Sequence, residues 1–419
     1  MGCSRLLSTP QAWVSVETIQ LIGMESQRGG FWPRLCSLRC NIGWEIVPFL
    51  SSFLNPTITN LCLTLPQEGN RLLQPTLSLL AHTCHQLQRL TLNADTSDPL
   101  SGGETGLLIS ASRHTLRHID IGPFTPPDVF LAIFDLPLLQ DLTLQQSHLP
   151  SQIPLNALPR IRTINFHGSH GPNLPQFLKG VPASALTTVT ITHGGIIQLS
   201  ATLNPLRGAS ATINTLYLSP ITALDHSSVT LLCSFTNLKY LSIGCICETL
   251  GPIGPCSFQP TDENILELGG ALPHISLLSL APGCREPRHV TFTSLICLSR
   301  TCCDLGGLSI RVDFTSVVGG SSQLNHRDLY PGVNSTRPQR AKSRLGTLTV
   351  GNSPLPDFPR CEWVVALALV RIFPSIRFLT SYCTEEMDGR WKGVKEDILV
   401  CQKIFRITAT GKHLDTCVW

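Results

Sequence analysis

An aliphatic residue at positions one, four and six of a short phrase recurs along most of the chain. The phrase fits a short β-strand, because alternate side chains of a strand point to opposite faces. Positions four and six would then face a core, positions three and five would face away from it, and position one would turn the chain into the strand. The copies are Leu35-Leu38-Cys40, Ile58-Leu61-Leu63, Leu87-Leu90-Leu92, Leu116-Ile119-Ile121, Leu139-Leu142-Leu144, Ile161-Ile164-Phe166, Leu186-Val189-Ile191, Ile213-Leu216-Leu218, Leu238-Leu241-Ile243, Ile275-Leu278-Leu280, Leu305-Leu308-Ile310, Leu345-Leu348-Val350 and a degenerate Ile376-Leu379.

The spacing of the copies predicts the fold. Leu35 and Ile58 lie 23 residues apart, and the other steps as far as Leu238 lie between 22 and 29 residues. This period is typical of leucine-rich repeats. Between the phrases, apolar residues follow helical spacing, and proline precedes several phrases where it would end a helix. The sequence therefore predicts an α/β leucine-rich-repeat solenoid, with a curved parallel sheet on its concave side and helices and loops on its convex side. The apolar stretches are Leu72 to Ala81, Leu107 to Ile109, Val129 to Phe134, Val229 to Leu232, Ile265 to Leu272 and Phe292 to Leu298, and the prolines are Pro33, Pro137, Pro159, Pro273 and Pro374.

Three regions are expected along the chain. Residues 1–30 precede the repeats as a capping or partly disordered segment, and residues 31–381 hold about 13 irregular repeats. The 40-residue step from Leu305 to Leu345 indicates an inserted loop near 319–344. In residues 382–419, charged residues alternate with Trp391 and other apolar residues at helical spacing, which predicts an amphipathic helix and a tail. Capping the last repeat is the expected role of this helix, and a partner-binding helix is the alternative.

Composition and charge narrow the choice of partner. Hydrophobic residues make up 42% and charged residues 14% of the 419 residues, which is too apolar for a disordered chain. The formal net charge of +3 is too small to attract nucleic acid or an anionic membrane by itself. We expect no nucleic-acid and no membrane partner, and a location in the cytoplasm or the nucleus. The basic stretch 337–344 would be a solvated loop or, alternatively, a nuclear-import or phosphorylation segment.

Candidate chemistry is sparse in the sequence. Seventeen cysteines are dispersed along the chain, and the tightest groups, Cys36 with Cys40, Cys245 with Cys247 and Cys302 with Cys303, lack the C-x-x-C spacing of common zinc sites. No phosphate-binding loop or nucleophile motif is present either. We therefore expect buried thiols, no metal, no cofactor, no catalytic residues and no enzymatic activity.

The outward positions of the strands are the candidate partner-binding residues. Positions three and five of each phrase would line the concave face, where a protein partner would bind. Tyr217 and Tyr240 are the anchor candidates, because tyrosine combines a large contact area with a polar tip. The predicted partner-binding set is Arg89, His118, Asp120, Asp141, Asn165, Tyr217, Tyr240 and Arg311.

The phrase, the prolines that precede it and a shared Thr-Cys-x-x-Leu approach at Thr83 and Thr301 resemble the irregular repeats of fungal-type F-box leucine-rich-repeat proteins. The stretch 31–40 resembles the first repeat of that family. Residues 1–30 are too few for an F-box and lack its Leu-Pro-x-Glu opening, while residues 127–136 mimic its first helix at the place of a repeat helix. The resemblance implies the substrate-binding part of an SCF-type ubiquitin ligase receptor, which would bind a Skp-type adaptor and a cullin if an F-box lies upstream. The alternative is a stand-alone scaffold or inhibitor.

Overall fold

The computed structural model describes residues 35–41, 50–65, 70–94, 102–122, 125–145, 149–150, 154, 157–168, 173–182, 184–249, 256–284, 290–315, 344–357, 359–381 and 385–409. The expected N-terminal segment, most of the inserted loop and the final tail lie outside these residues. The chain divides into two compact units, Met1–Pro182 and Ala183–Trp419.

The first unit contains a parallel sheet in which six strands follow each other in chain order. All neighbouring strands pair in parallel, so each connection must return the chain to the same end of the sheet. The strands are β1 (Ser37–Asn41), β2 (Asn60–Leu65), β3 (Arg89–Ala94), β4 (His118–Ile121), β5 (Asp141–Gln145) and β6 (Thr163–His167).

The second unit repeats this arrangement with seven strands, again parallel and in chain order. Across the described residues, thirteen strands coincide with the thirteen phrases. The strands of the second unit are β7 (Thr188–Ile197), β8 (Thr215–Ile221), β9 (Tyr240–Cys245), β10 (Leu277–Leu280), β11 (Gly307–Ile310), β12 (Thr347–Gly351) and β13 (Phe378–Ser381).

Helices connect most of the strands, and six of them lie at the apolar stretches in which the sequence predicts outer helices. The segment Pro127 to Phe134, which mimics the first helix of an F-box, is one of them. In the first unit they are α1 (Asn70–Thr83), α2 (Gly102–Ala111), α3 (Pro127–Phe134) and α4 (Leu174–Gly180), with a 3-10 helix at Ser51–Phe53. In the second they are α5 (Leu199–Leu206), α6 (His226–Cys233), α7 (Ile246–Thr249), α8 (Asp262–Ala271), α9 (Phe292–Thr301), α10 (Cys361–Ile372) and α11 (Glu385–Ala409), with a 3-10 helix at Arg207–Ala209.

The core consists of the aliphatic phrase positions together with the apolar faces of the helices. In β5, Leu142 and Leu144 are fully buried, and Leu139 before the strand is buried as well. In β8, Leu216 and Leu218 are buried in the same way. Burying such a side chain contributes about 1.5–3 kcal/mol. From β2 onward each strand contributes its own buried residues, whereas Leu35, Leu38 and Cys40 of the first repeat are half-buried.

A backbone ladder at the second phrase position fixes the register between repeats. In the first unit, the amide of Arg117 donates to the carbonyl of Gln88 at 2.9 Å, and the amide of Gln140 donates to the carbonyl of Arg117 at 2.8 Å. In the second unit, the amide of Ser276 donates to the carbonyl of Lys239 at 2.8 Å. These bonds align the outward residues of neighbouring strands side by side.

The last repeat is covered by α11. One face of this helix buries Trp391, Val394, Ile398 and Cys401, whose spacing corresponds to successive helical turns. The Trp391 indole N–H donates to the carbonyl of Ser353 at 3.1 Å, and its ring meets Phe314 edge-on at 5.4 Å. These contacts hold the helix against the segments that follow β11 and β12.

Candidate binding face

Positions three and five of each phrase form what we call the open face, the sheet surface opposite the buried positions four and six. Strand alternation places them there. In β5 the burial pattern is strictly alternate, with Asp141, Thr143 and Gln145 half-buried and the two leucines between them buried. The open face of each unit is therefore built from side chains that the core does not require.

In the first unit, the open face carries an ion pair across two strands. Register places Arg89 of β3, His118 of β4 and Asp141 of β5 side by side. The Nδ1 atom of His118 forms a short contact with a carboxylate oxygen of Asp141, and both side chains are about one-third exposed. Arg89, on the other side of His118, is exposed. Three of the predicted site residues thus form one row.

Asp120 lies one position further along β4, in a less solvated place. Burial raises the pKa of its carboxyl, while a hydrogen bond from Gln145 and the nearby His167 oppose that rise. Its Oδ1 atom is buried and has no hydrogen-bond partner among the described residues, and the same holds for Oδ1 of Asn93 in the neighbouring strand. Two acceptor oxygens are therefore unsatisfied within the described residues, and the open face of this unit carries charges of both signs, from Arg89, Asp120 and Asp141.

Asn165, the last predicted residue of the first unit, is engaged within the sheet. Its side-chain amide donates to the hydroxyl of Thr143 on the adjacent strand at 3.2 Å. The side-chain amide of Asn165 is therefore already used within the sheet.

In the second unit, the open face carries the two anchor candidates. The side chains of Tyr217 in β8 and Tyr240 in β9 are 39% and 48% exposed. Register sets Tyr240 opposite Thr215 and Tyr217 opposite Ser242, so the tyrosines are diagonal neighbours. Strand spacing and residue rise put their Cα atoms roughly 8 Å apart. A single side chain of a partner can reach both rings at that distance.

Hydroxyl-bearing residues surround the tyrosine pair. Thr188 and Thr190 of β7 pair with Thr215 and Tyr217, and Ser279 of β10 pairs with Ser242. We call Tyr217, Tyr240 and these hydroxyl residues the tyrosine platform. It offers aromatic area together with small groups that donate and accept hydrogen bonds.

Arg311 is placed differently from the other predicted site residues. It follows β11 and is half-buried, and its guanidinium donates to the backbone carbonyl of Cys284 at 2.9 Å. This bond joins the segment after β11 to the turn after β10. The contact gives Arg311 a structural role, and nothing in its surroundings assigns it to a partner.

A cluster of cysteines in the second unit was not expected from the sequence. The Sγ atoms of Cys245, Cys247, Cys256 and Cys284 all lie within 4.8 Å of one another. Only the C-x-C pair at Cys245 gave a local signal, because Cys256 and Cys284 come from separate segments that meet only in the fold.

The other buried cysteines have an ordinary structural role. Burial raises the pKa of Cys84 to about 11, and its thiol is 3.9 Å from the carbonyl of Asn55 in the preceding repeat. Cys302 similarly lies 3.7 Å from the carbonyl of Gly269. Both belong to the Thr-Cys-x-x-Leu approach, so that motif places a thiol against the backbone of the preceding repeat.

The chain has a leucine-rich-repeat fold. Parallel strands in chain order, all but β1 preceded by a buried aliphatic residue and most of them linked by helices, establish this within each unit. No protein-family model matches the sequence, and no curated protein matches it significantly.

Among solved structures, the chain is similar to a leucine-rich-repeat-containing protein, LegL7, from Legionella pneumophila. The match covers 86% of this chain and 97% of that one, at 11% identity and a TM-score of 0.37. In the described part of the chain, none of the helices is both long enough and apolar enough to cross a membrane.

Proposed function

We propose that this protein recognises another protein through the open face of its sheet, with the tyrosine platform as the main contact. The observation that carries the proposal is the exposure of Tyr217 and Tyr240, at 39% and 48%, as diagonal neighbours on adjacent strands. Exposed aromatic residues of this kind are enriched at binding hot spots, because they bury much area at little cost in side-chain entropy. Leucine-rich repeats are typical binding scaffolds.

The surroundings of the tyrosines suggest the chemistry of the partner. Hydroxyl groups of threonine and serine flank the rings, and no charged residue stands in the register rows of Tyr217 and Tyr240 from β7 to β10. The partner segment would place an apolar or aromatic side chain against the rings and pair its backbone or amide groups with the hydroxyls. On the first unit, Asp120 and Asp141 favour a lysine or arginine of the partner.

We consider two biological contexts for this recognition. The resemblance of the repeats to F-box proteins suggests a substrate receptor of an SCF-type ubiquitin ligase, with a Skp-type adaptor and a cullin among its partners. The alternative is a stand-alone scaffold or inhibitor without a ligase. In both forms the chain binds and does not catalyse.

Affinity purification with a paired variant tests the proposal. The tagged chain and its Tyr217→Ala/Tyr240→Ala variant are isolated from the native cells, and the co-purifying proteins are identified by mass spectrometry. The matched control is Leu107→Ala/Leu131→Ala, because these leucines are 59% and 67% exposed but lie on helices. At least one partner should be lost from the tyrosine variant and kept by the control.

The same experiment separates the two contexts. Recovery of a Skp-type adaptor and a cullin supports the receptor form, and a tyrosine-dependent partner without them supports the stand-alone form. If every partner is kept by the tyrosine variant, the proposed binding face is wrong.

A further inference from the structure

The four clustered cysteines come from three segments of the second unit. Cys245 ends β9, Cys247 lies in the single-turn helix α7, and Cys256 follows in the same inserted segment before α8. Cys284 closes the turn after β10. Because β9 and β10 are parallel neighbours, their carboxyl ends lie at the same edge of the sheet, which brings the segment after β9 and the turn after β10 together.

The distances between the sulfur atoms fit a single metal ion. The Sγ atom of Cys247 lies 3.1 Å from that of Cys245 and 3.2 Å from that of Cys284, and Cys284 lies 3.7 Å from Cys256. None of the four forms a disulfide, whose sulfur atoms would be about 2.05 Å apart. Four sulfurs at about 2.3 Å from a tetrahedral zinc ion are about 3.8 Å from one another. The observed cluster has that size.

The convergence of four thiols, and not burial alone, distinguishes this cluster from cysteines that only fill a core. Cys245, Cys256 and Cys284 are at most 2% exposed, and Cys247 is half-buried. Cys84 and Cys302 are also buried, but their thiols lie against backbone carbonyls and belong to no such group of four. Among the described residues, this is the one group of His, Cys, Asp and Glu side chains whose ligand atoms converge on a common centre. Four soft ligands without oxygen or nitrogen favour zinc over harder divalent cations.

Neighbouring repeats hold the Cys284 turn in place. The amide of Ala281 donates to the carbonyl of Ile243 at 2.7 Å, the amide of Cys284 donates to the carbonyl of Ala281 at 3.2 Å, and Arg311 donates to the carbonyl of Cys284. Gly351 approaches so closely, at a φ of +58°, that a Cβ atom there would lie 1.7 Å from the carbonyl oxygen of Pro282. Such outer contacts orient metal ligands before the ion arrives.

Charge is consistent with a metal at this place. Four cysteines lose four protons when they bind one Zn²⁺, so the site would carry a net charge of about −2. The guanidinium of Arg311, hydrogen-bonded to the backbone of Cys284, supplies a positive charge beside it. This charge would explain why Arg311, which the sequence predicts as a partner-binding residue, lies half-buried at this place.

We propose that Cys245, Cys247, Cys256 and Cys284 bind one structural zinc ion. Four protein ligands close the coordination shell and leave no position for a substrate, so the ion stabilises and does not catalyse. It links the long insertion after β9 to the turn after β10, where the repeat step lengthens to 37 residues between Leu238 and Ile275. No metal was expected from the sequence, because none of the cysteine pairs has the C-x-x-C spacing and the four ligands meet only in the fold.

Metal analysis of the full chain tests the proposal. The protein is purified under reducing conditions after expression with added zinc, and its metals are measured by mass spectrometry. We expect about one zinc per chain, and substitution by Co²⁺ should give the intense visible absorption of tetrahedral thiolate coordination. Cys256→Ser and Cys284→Ser should each lose the zinc. Cys233→Ser and Cys303→Ser, which change half-buried cysteines outside the cluster, should keep it.

A second measurement does not depend on folding of the variants. Removing zinc from the unchanged protein with a chelator should lower its Tm by several degrees, and added zinc should restore it. A chain without zinc, zinc that persists in both cluster variants, iron in place of zinc, or disulfides within the cluster in freshly purified protein would each overturn the assignment.

Discussion

The open faces of the two units differ in whether their side chains are bonded to one another or exposed. In the first unit, side chains pair across strands, as His118 does with Asp141 and Asn165 with Thr143. In the second, two tyrosines stand exposed among small hydroxyl residues. A partner of His118, Asp141 or Asn165 must compete with bonds that already exist, whereas a partner of the second face gains area by covering the exposed rings of Tyr217 and Tyr240. Binding energy is therefore expected mainly from the tyrosine platform.

The buried residues beneath the two open faces should contribute similarly to stability. Leu142→Ala in β5 and Leu216→Ala in β8 each remove a fully buried side chain next to an open-face residue. We expect each to cost about 2–5 kcal/mol, because a cavity forms in a core that cannot collapse. Urea unfolding followed by circular dichroism measures the loss. A cost below about 1 kcal/mol in only one unit would mean that the units also differ in their cores.

The tyrosine platform should show the largest effect on binding. Tyr217→Ala and Tyr240→Ala should each weaken binding of the partner by about 30-fold, corresponding to about 2 kcal/mol for a hot-spot residue. Stability should change by less than about 0.5 kcal/mol, since both side chains are exposed. Calorimetric titration with the isolated partner measures the affinity. An unchanged affinity in the folded variants would remove the distinction between the two faces.

Substitution of Asp120 on the first open face should change the stability of the protein in a pH-dependent way. Its raised pKa means that the folded state favours the protonated carboxyl. The resulting stability is present below the unfolded pKa of about 3.9 and is lost as pH rises through the raised folded value. Asp120→Asn should therefore be more stable than the unchanged protein at pH 7, by less than about 1 kcal/mol, and this advantage should vanish at pH 3.

Thermal unfolding at several pH values measures this difference. A variant that is less stable at pH 7 would show that the hydrogen bond from Gln145 outweighs the cost of burying the charge.

The cross-strand ion pair should have the smallest effect. His118 and Asp141 are each about one-third exposed, so their coupling energy should be below about 1 kcal/mol. A double-mutant cycle with His118→Ala and Asp141→Ala measures it, and 0.5 M salt should reduce it further. A coupling above 2 kcal/mol would indicate that the first face is organised more firmly than its exposure suggests.

Much of this protein follows from its sequence. The positions of the aliphatic residues determine every strand in the described residues, because a strand between a core and solvent must alternate with a period of two. Leu87, Leu90 and Leu92 predict β3, and the spacing of Trp391, Val394 and Ile398 predicts part of the buried face of α11, which Cys401 completes in place of the exposed Val400. The outward residues follow from the same alternation, so Tyr217 and Tyr240 could be named as exposed candidates.

Only the tertiary structure decided what lies beside those residues. The meeting of Cys256 and Cys284 depends on the path of an insertion, and no local pattern encodes that path. The bond from Arg311 to Cys284 and the pairing of His118 with Asp141 arise from register between repeats. Local periodicity reports which face a residue takes, but a site needs atoms from several repeats at defined distances, and those distances exist only after the repeats have stacked.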